Sequence, residues 1–135
     1  IAAVPGAEGR LVSLTLDGSA SREAHERTAA ALAADAGFTA AFCMNDFIAV
    51  GVLEAVTEAG LRVPEDFAIV GFDDLPCALM TSPQLSTMRV DRAALGREAV
   101  SLMLSRFRNR TAAARHICQA VIPIPGGTVP NIENP

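Results

Sequence analysis

Residues 39–74 constrain the fold more than any other stretch. Residues 39–44 (TAAFCM) form a short apolar run between Gly37 and Asn45-Asp46. A run of that length with those flanks reads as a buried strand. Beyond it, Ala49, Val52, Leu53, Val56 and Ala59 recur at helical spacing. They predict a helix over residues 47–59 with one apolar face. Gly60 suits the left-handed position after a helix, and Leu61 falls where a Schellman hydrophobic contact belongs. Pro64-Glu65-Asp66 marks a turn, and residues 67–72 (FAIVGF) are a second apolar strand ending in Asp73-Asp74. Strand, helix and strand with short connections close as a parallel pair with the helix packed across it. The expected fold class is therefore α/β, a parallel sheet flanked by helices.

The flanking segments extend that pattern. Residues 11–16 (LVSLTL) alternate apolar and small polar side chains and read as a strand, closed by the Asp17-Gly18-Ser19 turn signal. A helix is expected over residues 21–36, with Ser21 as its cap, an Ala-rich body and Gly37 as its stop. Residues 75–84 carry no regular period, and 85–90 (LSTMRV) read as extended. A third helix starts after Asp91, with Leu95, Ala99, Leu102, Met103 and Phe107 as its buried face. Residues 117–124 are the last strand, and 126–135 read as loop.

Composition narrows the function. The formal charge is -4, which argues against a nucleic-acid surface on this chain, since phosphate binding needs clustered cations. Cys43, Cys77 and Cys118 are widely spaced and odd in number. That fits neither a disulfide framework nor a zinc site, and suits free thiols in a reducing cytoplasm. No apolar run nears the roughly 20 residues of a membrane span. No secretory leader pattern opens the chain. No paired-histidine metal motif, nucleophile elbow or glycine-rich phosphate loop occurs. His25 falls on the first helix, on its solvent side, and His116 precedes a strand. No cofactor and no resident metal are expected.

Ligands of open parallel sheets bind beyond the carboxyl ends of strands. Two such ends carry polar groups here, Asn45-Asp46 and Asp73-Asp74. An Asn amide both donates and accepts, whereas a carboxylate accepts only. Together they could hold adjacent hydroxyls of a sugar or nucleoside. The structural roles compete: Asp46 stands where a helix N-cap belongs, and Asn45, Asp73 and Asp74 could each be turn formers. Asp46, Asp73 and Asp74 could also hold Mg²⁺ in a metal-dependent α/β enzyme. Adjacent residues on a strand point to opposite faces, which weakens that reading.

The motif FTAAFCMNDFIAVGVLEAVTEAGLRVPEDFAIVGFDD (38–74), followed by SPQLSTMRVDRAALGREAVSLML (82–104), resembles the lactose-repressor (LacI/GalR) family of bacterial transcription regulators. The likeness covers roughly residues 10–124. It implies the type I periplasmic-binding fold, in which two α/β lobes joined by crossover strands close over a small effector. This chain would then be mainly the C-terminal lobe (10–84 and 116–125), with a crossover at 85–90 and a helix of the N-terminal lobe at 91–110. The resemblance implies effector contacts from Asn45, Asp73 and Arg92, a helix-capping Asp46, and a homodimer surface that includes Leu79 and Met80. It implies that operator DNA is read by a headpiece absent from this chain. It also implies that the opening strand and helix of the lobe precede Ile1, that strand lying between 11–16 and 39–44. The expected function is a cytoplasmic, non-enzymatic sensor of a sugar-like or nucleobase-like effector. The alternative is a periplasmic sugar-binding protein of an uptake system.

Overall fold

The computed structural model describes residues 13–17, 20–34, 37–111 and 113–130. In chain order these form α1 (Ser21–Ala33), β1 (Ala40–Phe42), α2 (Asp46–Glu58), β2 (Ala68–Val70), a 3-10 turn (Pro76–Leu79), β3 (Thr87–Arg89), α3 (Arg92–Arg108) and β4 (Ile122–Ile124). Among the described residues no helix is long and apolar enough to cross a membrane.

β1 and β2 pair in parallel, Ala40 opposite Ala68 and Phe42 opposite Val70. The Cys43 N–H continues the ladder onto the Val70 carbonyl at 2.8 Å. The β1–β2 pair is the parallel sheet the sequence predicts, and β3 and β4 form a second, antiparallel pair. A parallel bridge between Val70 and Ser86 joins the two pairs, and the N–H groups of Gly71 and Asp73 donate onward to the carbonyls of Ser86 and Met88.

The core lies between the helices α1 and α2 and the β1–β2 pair. Ile48, Ala49, Val52, Leu53 and Val56 of α2 meet Ala24 of α1 and Phe67 and Ile69 of β2 and its approach. Phe38 meets Phe67 edge-on, with ring centroids 5.7 Å apart. α1 and α2 approach so closely that a Cβ on Gly51 would collide with the Ser21 carbonyl. α2 ends as its sequence implies. Gly60 is left-handed (φ +80), its N–H reaches Thr57, and the Leu61 N–H reaches Val56 across the turn. That is the paired bonding of a Schellman motif.

Several expectations are corrected. Residues 13–16 form no strand, and Leu11 and Val12 lie outside the described residues. A strand exists only where its backbone finds a ladder. Here a cavity of about 540 Å³ separates this segment from β1. Ser21 does not cap α1. It is the first helical residue, Ala20 holds the cap position, and no side chain caps there. α1 stops at Ala33, while residues 35 and 36 lie outside the described set. The irregular stretch 75–84 contains the 3-10 turn. His25 is not simply solvent-facing: its Nε2 sits 2.8 Å from the Glu58 carboxylate and links α1 to α2. Of the expected buried face of α3, Leu95, Ala99, Met103 and Phe107 are exposed and Leu102 is half-buried. No residue of that helix is buried, and Phe107 is 67% accessible. The apolar period is present, but no described element packs against it.

Candidate functional site

The register of β1 and β2 sets the geometry of the site. Asn45 stands three residues beyond Phe42, and Asp73 three residues beyond Val70, the residue paired with Phe42. Both therefore follow the carboxyl ends of adjacent parallel strands at equal distance, where such sheets offer a rim to ligands.

Asn45 has extended backbone (φ −154, ψ 171), and its Oδ1 accepts the Ile48 N–H at 2.9 Å. Asn45, not Asp46, is thus the N-cap of α2, which corrects the sequence assignment. A cap oxygen must come from the residue just outside the helix, and Asp46 is already the first helical residue. With its oxygen turned to the helix, what Asn45 can offer a ligand is its amide N–H2.

Asp46 does different work. It is fully buried. One carboxylate oxygen accepts the Leu75 N–H and the other the Thr87 hydroxyl, each at 2.6 Å. Gly71 makes room for it, because a Cβ there would collide with Asp46 Oδ1. Burial first, and the Asp46 carboxylate second, push the Cys43 thiol up to about 12. Cys77 is raised from its ordinary value by the same two causes in the same order.

Asp73 and Asp74 both have left-handed backbone (φ 98 and φ 52). Non-glycine residues seldom adopt it, though Asp tolerates it better than most. Four contacts hold the turn, one of them from the Asp74 N–H to the Thr87 hydroxyl at 3.4 Å. The Asp73 N–H donates to Met88, the Asp73 carbonyl accepts from Arg92 Nη1 at 2.5 Å, and the Asp74 carboxylate pairs with Arg89 Nε at 2.5 Å. Among the described residues the Asp73 carboxylate makes no hydrogen bond, so it stands ready to accept from a ligand. Arg92 opens α3 beside its cap Asp91, whose Oδ1 accepts the Ala94 N–H at 2.8 Å.

The structure therefore joins Arg92 to Asp73 through a backbone carbonyl and sets Asn45 at the same sheet end. It forms no hydrogen bond between Asn45 and Asp73. The cavity of about 540 Å³ runs instead along β1, lined by Leu14, Leu16, Phe38, Ala41, Met44 and Ile48. A second cavity of about 600 Å³ lies between α1 and the end of α2. None of the three candidates lines either cavity: Asn45 and Asp73 are half-buried at the sheet end, and Arg92 is exposed. The three acidic residues do not converge: Asp46 faces Leu75 and Thr87, and Asp74 faces Arg89. Among the described residues no cluster of three His, Cys, Asp or Glu side chains could hold a metal ion. Leu79, which ends the 3-10 turn, and Met80, just past it, are 66% and 85% exposed.

Sequence reasoning missed two residues. Thr87 meets Asp46 from 41 positions away. Thr128, placed in a loop, is fully buried and staples the chain. Its hydroxyl accepts the Ser86 N–H at 2.9 Å and donates to the Ile69 carbonyl at 2.7 Å. No local pattern announces either. The one available hint was Gly71, whose missing side chain signals a close approach.

The periplasmic binding protein-like domain model matches residues 7–129. The HTH-type transcriptional repressor PurR of Haemophilus influenzae (strain PittEE) is 44% identical over 72 residues, covering 53% of this chain and 21% of the relative. The chain thus spans about a fifth of that curated relative's length. A LacI family transcriptional regulator from Arthrobacter sp. FB24, solved in complex with lactose, is similar with a TM-score of 0.70 and 31% identity, over 82% of this chain and 42% of that one. The lac repressor dimer bound to operator and an anti-inducer is similar with a TM-score of 0.72 and 28% identity, over 82% of this chain and 38% of that one. With the domain model matching nearly the whole chain, and with sequence and fold both leading to the same regulators, this chain belongs to the periplasmic binding protein-like domain family, in its LacI/GalR branch.

Proposed function

We propose that this chain is the ligand-sensing part of a LacI/GalR-type transcription regulator acting in the cytoplasm. The observation that carries the proposal is the matched placement of Asn45 and Asp73 past paired strand ends, with Arg92 joined to the Asp73 turn. Asn45 supplies amide donors, Asp73 a carboxylate acceptor and Arg92 a forked cation. That set suits a small ligand with adjacent hydroxyls or a nucleobase edge. In the same reading, residues 10–84 and 116–125 form one lobe, 85–90 a crossover, and 91–110 a helix of the other lobe. Leu79 and Met80 belong to a homodimer interface, and a headpiece outside these 135 residues binds operator. The chain carries no catalytic role in this reading. Effector regulates by binding one arrangement of the lobes better than another, since equal affinity for both would shift nothing. The relatives are repressors by name, which favours regulation over an uptake receptor.

A thermal-shift panel of sugars and nucleobases on the intact natural protein tests the reading. A ligand at a hundred times its Kd adds about 2.7 kcal/mol of stability. The stabilising compound is expected to change operator retardation in a gel, and Asn45→Ala, Asp73→Asn and Arg92→Ala are each expected to abolish the thermal shift. A panel without any stabilising member, or a hit indifferent to all three substitutions, rejects the site.

A further inference from the structure

We infer that Asp46 is a positioning residue that sets the rim: it locks both the Asp73–Asp74 turn and β3 onto the first turn of α2. The two bonds at 2.6 Å run in different directions from one carboxylate. One goes to the backbone just past the acidic turn, at Leu75. The other goes to Thr87, which opens β3. Asp46 itself directly follows Asn45, the cap of α2. Three segments that bear the candidate contacts are thereby held by one buried side chain. Asn45 is its neighbour, Asp73 lies two residues before Leu75, and Arg92 lies three residues beyond β3.

Burying a carboxylate is costly unless it is fully bonded, and an apolar residue of similar size would fill the same space more cheaply. What the carboxylate adds is direction, because it fixes two elements in one geometry where dispersion contacts would let them slide. The Gly71 vacancy built around Asp46 Oδ1, and the Val70–Ser86 bridge beside it, mark the spot where β2 and the segment leading into β3 meet. Thr128 ties the same two segments at the other end of the contact through Ile69 and Ser86. The rim is thus pinned at both ends, and only the Asp46 end touches residues that lead to the candidate contacts.

The use of the rim rests on the sensor reading, but the lock does not. The test is therefore made without ligand, by residue-resolved amide hydrogen exchange on the intact natural protein. Asp46→Ala removes both bonds and leaves a hole, so Thr87→Val, which keeps the shape and deletes the hydroxyl, is the sharper probe. The Thr87 hydroxyl also accepts the Asp74 N–H at 3.4 Å, so exchange at Asp74 reports that direct loss, whereas the Leu75 amide bonds to Asp46 and reports action through the carboxylate. Thr87→Val is expected to speed its exchange about tenfold, the size of one hydrogen bond to a charged group. The α2 amides of Val52 to Val56 are expected to stay as they are, and Thr87→Ser to restore protection at Leu75. Unchanged exchange at Leu75 overturns the inference. So does a parallel rise through α2, which would make the bond a general contribution to stability. A thermal-shift panel without hits would remove the sensor reading and leave this result untouched.

Discussion

α2 and α3 invite comparison. Both are apolar at helical spacing, and both begin at a side-chain cap, Asn45 and Asp91 respectively. Yet eight of the 13 residues of α2 are buried and none of the 17 of α3. The helices differ in what faces them. α2 has α1 on one side and the β1–β2 pair on the other, whereas α3 extends from the β3–β4 pair with Leu95, Val100, Met103, Leu104 and Phe107 all exposed. An apolar stripe records that a helix is meant to be covered, and it does not say by what. The chain spans 42% of the Arthrobacter regulator it matches.

Phenylalanine gives the largest test of that contrast. Phe67 is 1% exposed and Phe107 67% exposed. Phe67→Ala is expected to cost about 3–5 kcal/mol in urea unfolding, the range for a buried aromatic. Phe107→Ala is expected to stay within about 0.5 kcal/mol in the 135-residue chain. A cost for Phe107→Ala in the intact protein that approaches that of Phe67→Ala would show that α3 finds its partner outside this chain. Equal small costs in both would break the comparison, leaving α3 a solvent-exposed helix.

A middle-sized effect concerns the cap. Asn45→Ala should lower ligand-free stability by about 1 kcal/mol, and Asn45→Ser should restore it, because a serine oxygen can take the Ile48 N–H. The serine variant still lacks the amide donors, so it should fold well and bind effector poorly. Restored binding in Asn45→Ser would confine Asn45 to its structural role.

The smallest effect lies in the turn between α2 and β2. The Arg62 guanidinium bonds Asp66 at 2.7 Å through both Nε and Nη2, and the Arg62 N–H adds a third bond. Those side-chain bonds first, and the backbone bond second, hold the Asp66 carboxyl at about 2, below its ordinary 3.8. A lowered folded-state value means the contribution is complete above the unfolded value and fades as pH falls toward about 2. Melting temperatures of the wild type and Asp66→Asn should therefore converge between about pH 4 and pH 2. The gap above that window should be slight, since the pair is open to solvent. A gap that persists below pH 2 would assign it to something other than this charge.

Much of the packed half was legible residue by residue. The 39–44 and 67–72 runs did become paired strands, although only three residues of each bond as ladder. Gly60 and Leu61 ended α2 by the expected bonds. Asp91 did precede the third helix. What failed did so where a partner was needed. Residues 13–16 have strand alternation without a ladder, and α3 has an apolar face without a cover. The cap of α2 fell to Asn45 rather than Asp46 because both are good cap residues, and a single-residue shift in the helix start decides between them.

By itself, the sequence determined the elements whose causes are local: apolar period, glycine turns and the strand–helix–strand order that leads to a parallel pair. Only the tertiary structure decided that Asp46 reaches Leu75 and Thr87, that Thr128 is buried, and that Arg92 meets the Asp73 carbonyl. The reason is physical. Periodicity and capping act within a few residues along the chain, whereas a buried polar group is satisfied by whatever donor the packed backbone brings to it, however distant in sequence.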